Sequence, residues 1–374
     1  MTRAYNFSPG PATIPEEVLR HAASEMLDWR GTGMSVMEMS HRSADYAPVI
    51  GEAEADLREL LGAPANYKIL FMQGGALAEN AIVPLNMMRG IGMADYVDTG
   101  IWSLKSITEA RRYGEVHVIA SSKSHGYTRV PKENEWKPTK GAAYVHICGN
   151  ETIGGIEYQW TPDVRAVYGD DTVLIEDASS HILSRPIDVT RYGLIYGGAQ
   201  KNVSMAGLTF VIVREDLIGR AHPLCPAAFD YKVVADNDSM FNTPPTYAIY
   251  LAGLVFKWLK ARPAAIDRPE LSPLAAIELQ NVEKAGLLYD ALDASDFYAT
   301  NIAVEDRSRM NVTFSLRDDE LTKRFVADSA AAGLKGLKGH RAVGGIRASI
   351  YNAMPRPGVE ALVAFMRDFE REHG

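Results

Sequence analysis

The apolar run Leu194-Ile195-Tyr196 is broken by Gly197-Gly198, and Ala199-Gln200-Lys201-Asn202 follows at once. Val203-Ser204-Met205-Ala206-Gly207 then leads into the β-prone stretch Leu208-Thr209-Phe210-Val211-Ile212-Val213. The pattern predicts a lysine in a turn at a strand end, with its stem among apolar neighbours. Most lysines are solvated, and alone Lys201 would be read that way. A second stretch changes the reading. Thr172-Val173-Leu174-Ile175-Glu176-Asp177-Ala178-Ser179-Ser180 reads as another buried strand, ending in a carboxylate. Asp177 precedes Lys201 by enough chain for one crossover between neighbouring parallel strands. Both groups then emerge at carboxyl ends of strands, where open α/β sheets bind ligands.

An aspartate on one strand end and a lysine on the next suit pyridoxal phosphate. The lysine amine condenses with the cofactor aldehyde. The aspartate keeps the pyridine nitrogen protonated, so that the ring takes up electrons from a substrate carbon. The 374 residues, 47% hydrophobic, bury a large core and suit one large and one small domain. A formal net charge of −8 argues against a nucleic-acid partner and means that an anionic substrate needs a local positive site. Only Cys148 and Cys225 occur, with neither a disulfide framework nor metal-ligand spacing, which points to a reducing, cytoplasmic setting. No signal-peptide pattern opens the sequence. The longest near-apolar stretch, Tyr247 to Phe256, is too short for the roughly 20 residues of a membrane span.

Along the chain, residues 1–15 carry Pro9, Gly10, Pro11 and Pro15 and read as an ordered lead-in. Helices are predicted over Glu16–Trp29 and Pro48–Leu61, with His41-Arg42 in the loop between them. Tyr67–Met72 reads as a strand, Gln73-Gly74-Gly75 as a turn and Ala76–Met88 as a helix. Such a turn offers the free amides of a helix start to an anion. A Gly-Gly turn also describes an ordinary strand–helix connection, and the dinucleotide pattern Gly-x-Gly-x-x-Gly is absent. Asp95–Gly100 and Ala143–Cys148 are further strands. The loop Phe241–Thr246 precedes an apolar helix over Tyr247–Leu259, and Asn242 and Thr243 read alone as capping residues. Ala261 to Pro273 holds three prolines and marks a boundary. Beyond it come a helix over Leu274–Leu292, a strand over Asn311–Leu316, a helix over Leu321–Gly333 and a closing amphipathic helix over Pro357–Glu372. The large domain is therefore expected over 16–262, and a smaller α+β domain over 263–374 joined by 1–15.

Four stretches together resemble the class V, fold-type I aminotransferases: Ser35–Arg42, Gly198–Asn202, Ser239–Thr246 and Gly339–Ala353. They occur in order over the whole chain. The resemblance implies the fold of pyridoxal-phosphate-dependent transferases of fold type I, a large, mainly parallel α/β domain with a smaller α+β one. It implies a homodimer with shared active sites and pyridoxal 5'-phosphate as cofactor. Lys201 would hold the cofactor aldehyde and shuttle the proton, and Asp177 would pair with the ring nitrogen. The cofactor phosphate would lie on the backbone N–H groups of Ala76 and Leu77, with Asn242 and Thr243 reaching it from the other subunit. Trp102 would stack on the ring, with Thr152 and Gln200 at its polar edge. Arg347 would clamp the substrate α-carboxylate. Arg42, His340 and Arg341 would hold a distal anion.

The implied reaction is ping-pong transamination, in which L-glutamate yields 2-oxoglutarate and 3-phosphohydroxypyruvate becomes O-phospho-L-serine, a step of serine biosynthesis. Formation of 4-phosphooxy-L-threonine, towards pyridoxine, is a second implied reaction. The alternatives are another class V aminotransferase and a non-catalytic binder of the same cofactor. A cysteine desulfurase would need a cysteine late in the chain, and none follows Cys225. A nicotinamide dehydrogenase would need the missing glycine pattern.

Overall fold

The computed structural model describes residues 3–88, 90–169 and 171–374. Its central sheet has seven strands in the order Tyr67–Met72, Thr209–Arg214, Leu194–Gly198, Val173–Asp177, Tyr144–Cys148, Met93–Asp98, Glu115–Ser121. All pairings are parallel except those of Thr209–Arg214, which runs antiparallel to both neighbours. The reversal follows from the lysine turn, which sends the chain back beside the strand it has just left. Side chains alternate between two buried faces. Ile69, Phe71, Val145, Ile195 and Phe210 pack into one core, while Leu70, Met72, Tyr144, Leu194 and Val211 pack into another. A sheet covered on both faces requires the near-continuous apolar strands seen in the sequence.

A second body is built on the three-stranded antiparallel sheet Tyr298–Ala299, Asn311–Leu316, Ile346–Ser349. Its core gathers Phe314, Phe325, Val359, Leu362 and Phe369. The beginning of the chain joins this body. Tyr5–Asn6 pairs in parallel with Leu334–Lys335, and Phe7 is fully buried in the same core. The helix Pro273–Asp293 bridges the two bodies. Leu274 and Ile277 lie in the large core, and Leu288 and Leu292 in the small one.

Several elements differ from their sequence expectation. The first helix spans Glu16–Ser24 and stops short of Trp29. The chain turns there through Arg30, at φ 51°, so that Trp29 enters the core at 5% exposure. The strand expected over Asp95–Gly100 spans Met93–Asp98. Ile101–Ala110 is a helix that the sequence reading left unassigned, and Glu115–Ser121 is an edge strand that it missed. Among the described residues no helix is long and apolar enough to cross a membrane.

Candidate active site

Val173–Asp177 and Leu194–Gly198 are parallel neighbours, with Asp177 opposite Tyr196. The strand ends therefore place Asp177 and the lysine turn side by side. Gly197 makes this approach possible, because a Cβ there would meet Ser179 Cα at 2.8 Å and the Phe210 ring at 2.5 Å. The first residues of the chain cross the turn, and Ala12 N–H donates to the Gln200 carbonyl at 2.9 Å. A cavity of about 310 Å³ opens above these strand ends. Asp177, Lys201, Thr152, Gln200 and Trp102 line it from the large body, with Ala76 and Leu77 at the start of a helix. His340 and Arg347 line it from the small body, and Pro9 and Gly10 from the N-terminal segment. A larger cleft of about 1030 Å³ contains neither Asp177 nor Lys201. In the smaller cavity a lysine, a carboxylate and a guanidinium converge.

Each group is held in place. Asp177 Oδ1 accepts from Ser179 N–H at 3.0 Å and from Ser179 Oγ at 2.5 Å. Its other oxygen has no protein hydrogen bond among the described residues. Lys201 Nζ donates to Thr152 Oγ1 at 2.8 Å and lies 5.6 Å from the Trp102 ring centroid. Burial lowers the pKa of the Lys201 ammonium, and the negative charge of Asp177 opposes that shift. Trp102 is fixed through its backbone N–H, which donates to Glu151 Oε2 at 3.0 Å. Ser103 N–H reaches the other oxygen at 2.9 Å. The sequence reading missed Glu151. Its carboxylate caps the helix Ile101–Ala110, and it is fully enclosed at 1% exposure. The polar run Asn150-Glu151-Thr152 directly after an apolar strand was the available signal. Ser179, which orients Asp177, was likewise missed.

The helix Gly75–Met87 begins at Gly74, whose φ of 101° suits glycine, and has no side-chain cap. Gly75 N–H is taken by Thr209 Oγ1 at 2.7 Å. The next turn of the helix is left to present free N–H groups to the cavity. Leu77 is 64% exposed and apolar, so this wall offers backbone donors and no side-chain charge.

Arg347 is 6% exposed and donates from Nη1 to the Thr152 carbonyl at 3.3 Å. Its Nε is buried without a partner among the described residues. A guanidinium so placed has unused planar donors for a carboxylate. His340 accepts from Ala342 N–H at Nδ1, 3.2 Å, which leaves Nε2 to carry the proton and donate. Burial lowers the His340 pKa, and the charges of Arg347, Arg341 and Lys105 add to the shift. Both effects favour the neutral imidazole.

Four expected site residues lie off this cavity. Arg42 is exposed, with its Nε at 3.2 Å from His41 Nε2. Asn242 and Thr243 are exposed, and the Thr243 carbonyl accepts from Gln73 Nε2 at 2.7 Å. Arg341 is exposed beside His340.

The class-V aminotransferase model matches residues 4–362. The chain belongs to the class-V aminotransferases. A phosphoserine aminotransferase of Ralstonia nicotianae is 57% identical over 373 residues, covering 99% of this chain and 96% of that protein. One from Pseudomonas aeruginosa is 55% identical, covering 100% and 99%. Among solved structures, the phosphoserine aminotransferase of Bacillus circulans subsp. alkalophilus superposes with a TM-score of 0.94 at 46% identity, covering 100% and 99%. The pyridoxal-phosphate-bound enzyme of Trichomonas vaginalis gives 0.89 at 40% identity, covering 98% and 100%. The chain is a pyridoxal-phosphate-dependent aminotransferase, and its fold is the one expected from the sequence. The cavity fits that cofactor: an open carboxylate oxygen, a lysine at reach, an aromatic wall and an uncapped helix start are gathered around one space.

Proposed function

We propose that the chain is a phosphoserine aminotransferase, which moves the amino group between L-glutamate and 3-phosphohydroxypyruvate to give 2-oxoglutarate and O-phospho-L-serine. The observation that carries this reading is the pairing of the buried Arg347 with His340 in a cavity whose floor holds Lys201 and Asp177. Bound pyridoxal 5'-phosphate supplies an aldehyde that takes up amino groups and a ring that takes up electrons. Lys201, Asp177, Gln200, Thr152 and Trp102 hold its ring end, and the N–H groups of Ala76 and Leu77 hold its phosphate. Lys201 Nζ, favoured uncharged by burial, moves the proton off and onto the substrate α-carbon. Arg347 receives the α-carboxylate, and the Trp102 side of the cavity keeps water away. His340 lines the distal end of the substrate, and Arg341, exposed beside it in the single chain, would turn to the same anion, phosphate in one case and carboxylate in the other. Formation of 4-phosphooxy-L-threonine, with the same two anionic ends, falls within the same reading.

Arg42, Asn242 and Thr243 serve the cavity of a second copy in this proposal, since each is exposed and outside its own. The active unit is then a homodimer with shared sites, working in the cytoplasm on small molecules alone. The division into a body of 16–262 and one of 263–374 with 1–15 belongs to the same reading. The placement of Phe7 in the small core supports it, while Leu274 and Ile277 reach across the division into the large core.

Two experiments test the reading. In the first, half-reactions with phosphoserine, glutamate and alanine are compared across variants. Arg42→Leu or Arg341→Leu is expected to lower kcat/KM for phosphoserine by at least about 30-fold, the lower end for truncating one partner of a desolvated charge pair. Alanine, without a distal anion, should be spared. Arg347→Leu should impair all three. Equal losses for alanine and phosphoserine in the Arg42 and Arg341 variants would remove the distal-anion assignment. In the second, Lys201→Ala and Arg42→Leu chains are co-expressed. A two-fold dimer with shared sites regains roughly a quarter of its sites by pairing one chain of each kind. Absence of recovery would place Arg42 in its own chain's site or outside any.

A further inference from the structure

Lys284 lies in the helix Pro273–Asp293 and is 3% exposed. No carboxylate pairs with it among the described residues. Its Nζ lies instead within hydrogen-bond distance of four backbone carbonyls, which share its three N–H donors: Tyr351 at 2.8 Å, Met354 at 3.0 Å, Ile350 at 3.1 Å and Asn352 at 3.4 Å. Burial pushes the ammonium down to about 7, while the four carbonyl dipoles act the other way and favour the charged form. An ammonium kept from water without a counter-ion is costly, and a methionine of similar length would fill the same space. Nothing in the chemistry of the cavity uses this lysine directly.

What the ammonium gathers is the segment that follows strand Ile346–Ser349, the strand carrying Arg347. That segment is tied to both walls of the cavity. Tyr351 Oη donates to the carbonyl of Pro9 at 2.7 Å, and Pro9 lines the cavity. Asn352 N–H donates to Oδ1 of Asn202, the neighbour of Lys201, at 3.0 Å. Asn352 Nδ2 reaches the Leu183 carbonyl at 2.8 Å, and Asn281 Nδ2 reaches Asn352 Oδ1 at 2.8 Å. The seam between the two bodies is thus a set of hydrogen bonds converging on residues 350–354. Lys284 binds the backbone of that segment at four points from a helix anchored in both cores.

We propose that Lys284 is a positioning residue for transamination: by gripping residues 350–354 it sets the distance between Arg347 on the small body and Lys201 on the large one. The inference rests on the reading that Arg347 receives the α-carboxylate. The backbone of residues 350–354 has no other side-chain ammonium to hold it among the described residues. Removing the grip lets the Arg347 wall drift while leaving the large-body contacts to the cofactor intact.

The experiment compares wild type, Lys284→Met and Arg347→Leu as holoenzymes, by visible absorbance, Tm and half-saturation for glutamate and phosphoserine. Lys284→Met is expected to keep the absorbance of lysine-bound cofactor. Its half-saturation for both amino acids should rise by about 10- to 100-fold, the scale of a small misplacement of a binding group. The maximal rate should change less. If that variant does not fold, Lys284→Gln, which keeps two N–H donors, gives the same reading with a smaller rise. Unchanged half-saturation, whatever the Tm, overturns the proposal, because a purely structural lysine would alter stability alone. Failure of the clamp reading shows separately, as an Arg347→Leu variant with unaltered half-saturation.

Discussion

A Lys201→Ala variant is expected to lose the visible absorbance of covalently held cofactor and to lose transamination by at least about 10³-fold. General acid–base catalysis alone contributes roughly 10²–10⁴-fold, and this residue supplies the covalent anchor as well. The fold should survive. Lys201 Nζ makes one hydrogen bond, to Thr152 Oγ1, and rests against Trp102. Burial lowers its ammonium pKa in the cofactor-free fold. The unfolded chain therefore binds more protons than the folded one between that lowered value and the ordinary 10.5. Lys201 thus makes stability rise with pH across that window, and stability is lost as pH falls through it. The alanine variant should lack this slope and be at least as stable as wild type at neutral pH. Cofactor should still bind through its phosphate, without the covalent bond. Calorimetry of the cofactor-free proteins across pH, with spectra of the loaded ones, checks both halves. Normal turnover in the variant would remove Lys201 from the mechanism.

Both functional strand ends were legible because each combines an apolar run with an abrupt polar stop. Val173–Asp177 and Leu194–Gly198 lie where the sequence places them, side by side and parallel. Central strands buried on both faces leave the clearest trace, since most of their positions must be apolar. The edge strand Glu115–Ser121 was not legible for the opposite reason. It carries Glu115 and His117, has one half-exposed face and mixes its pattern with the loops around it. Helix Ile101–Ala110 was hidden because its cap is Glu151, far away in sequence. The lysine turn showed in the sequence, whereas the residues that hold its partners did not. Ser179 and Glu151 act by contacts that only the folded chain creates. Lys284 shows the same limit. In sequence it is one more charge on a long helix, and only the fold reveals four carbonyls around it.

Replacing Asp177 by asparagine should separate holding the cofactor from using it. Ser179 fixes Asp177 Oδ1 through its N–H and its hydroxyl, so the other oxygen is the one presented to the cavity. Asparagine keeps the size of the side chain and can keep Oδ1 on Ser179 N–H. Its second atom is then an N–H₂ donor where an anionic acceptor stood. A ring nitrogen facing that donor is held unprotonated, and the ring takes up electrons poorly. The expected loss in the rate of α-proton removal is about 10²–10³-fold, the scale for deleting one preorganised electrostatic partner of a developing charge. The covalent link to Lys201 should remain, because no contact to Lys201 Nζ passes through Asp177. Ser179→Ala, which removes the hydroxyl bond to Asp177 but leaves the backbone N–H bond and the charge, should cost far less. Rapid mixing of each variant with glutamate, with the α-proton replaced by deuterium in a parallel run, measures the step directly. An Asp177→Asn rate equal to wild type would mean that the carboxylate serves only Ser179 and the strand end, and that the ring nitrogen finds its proton elsewhere.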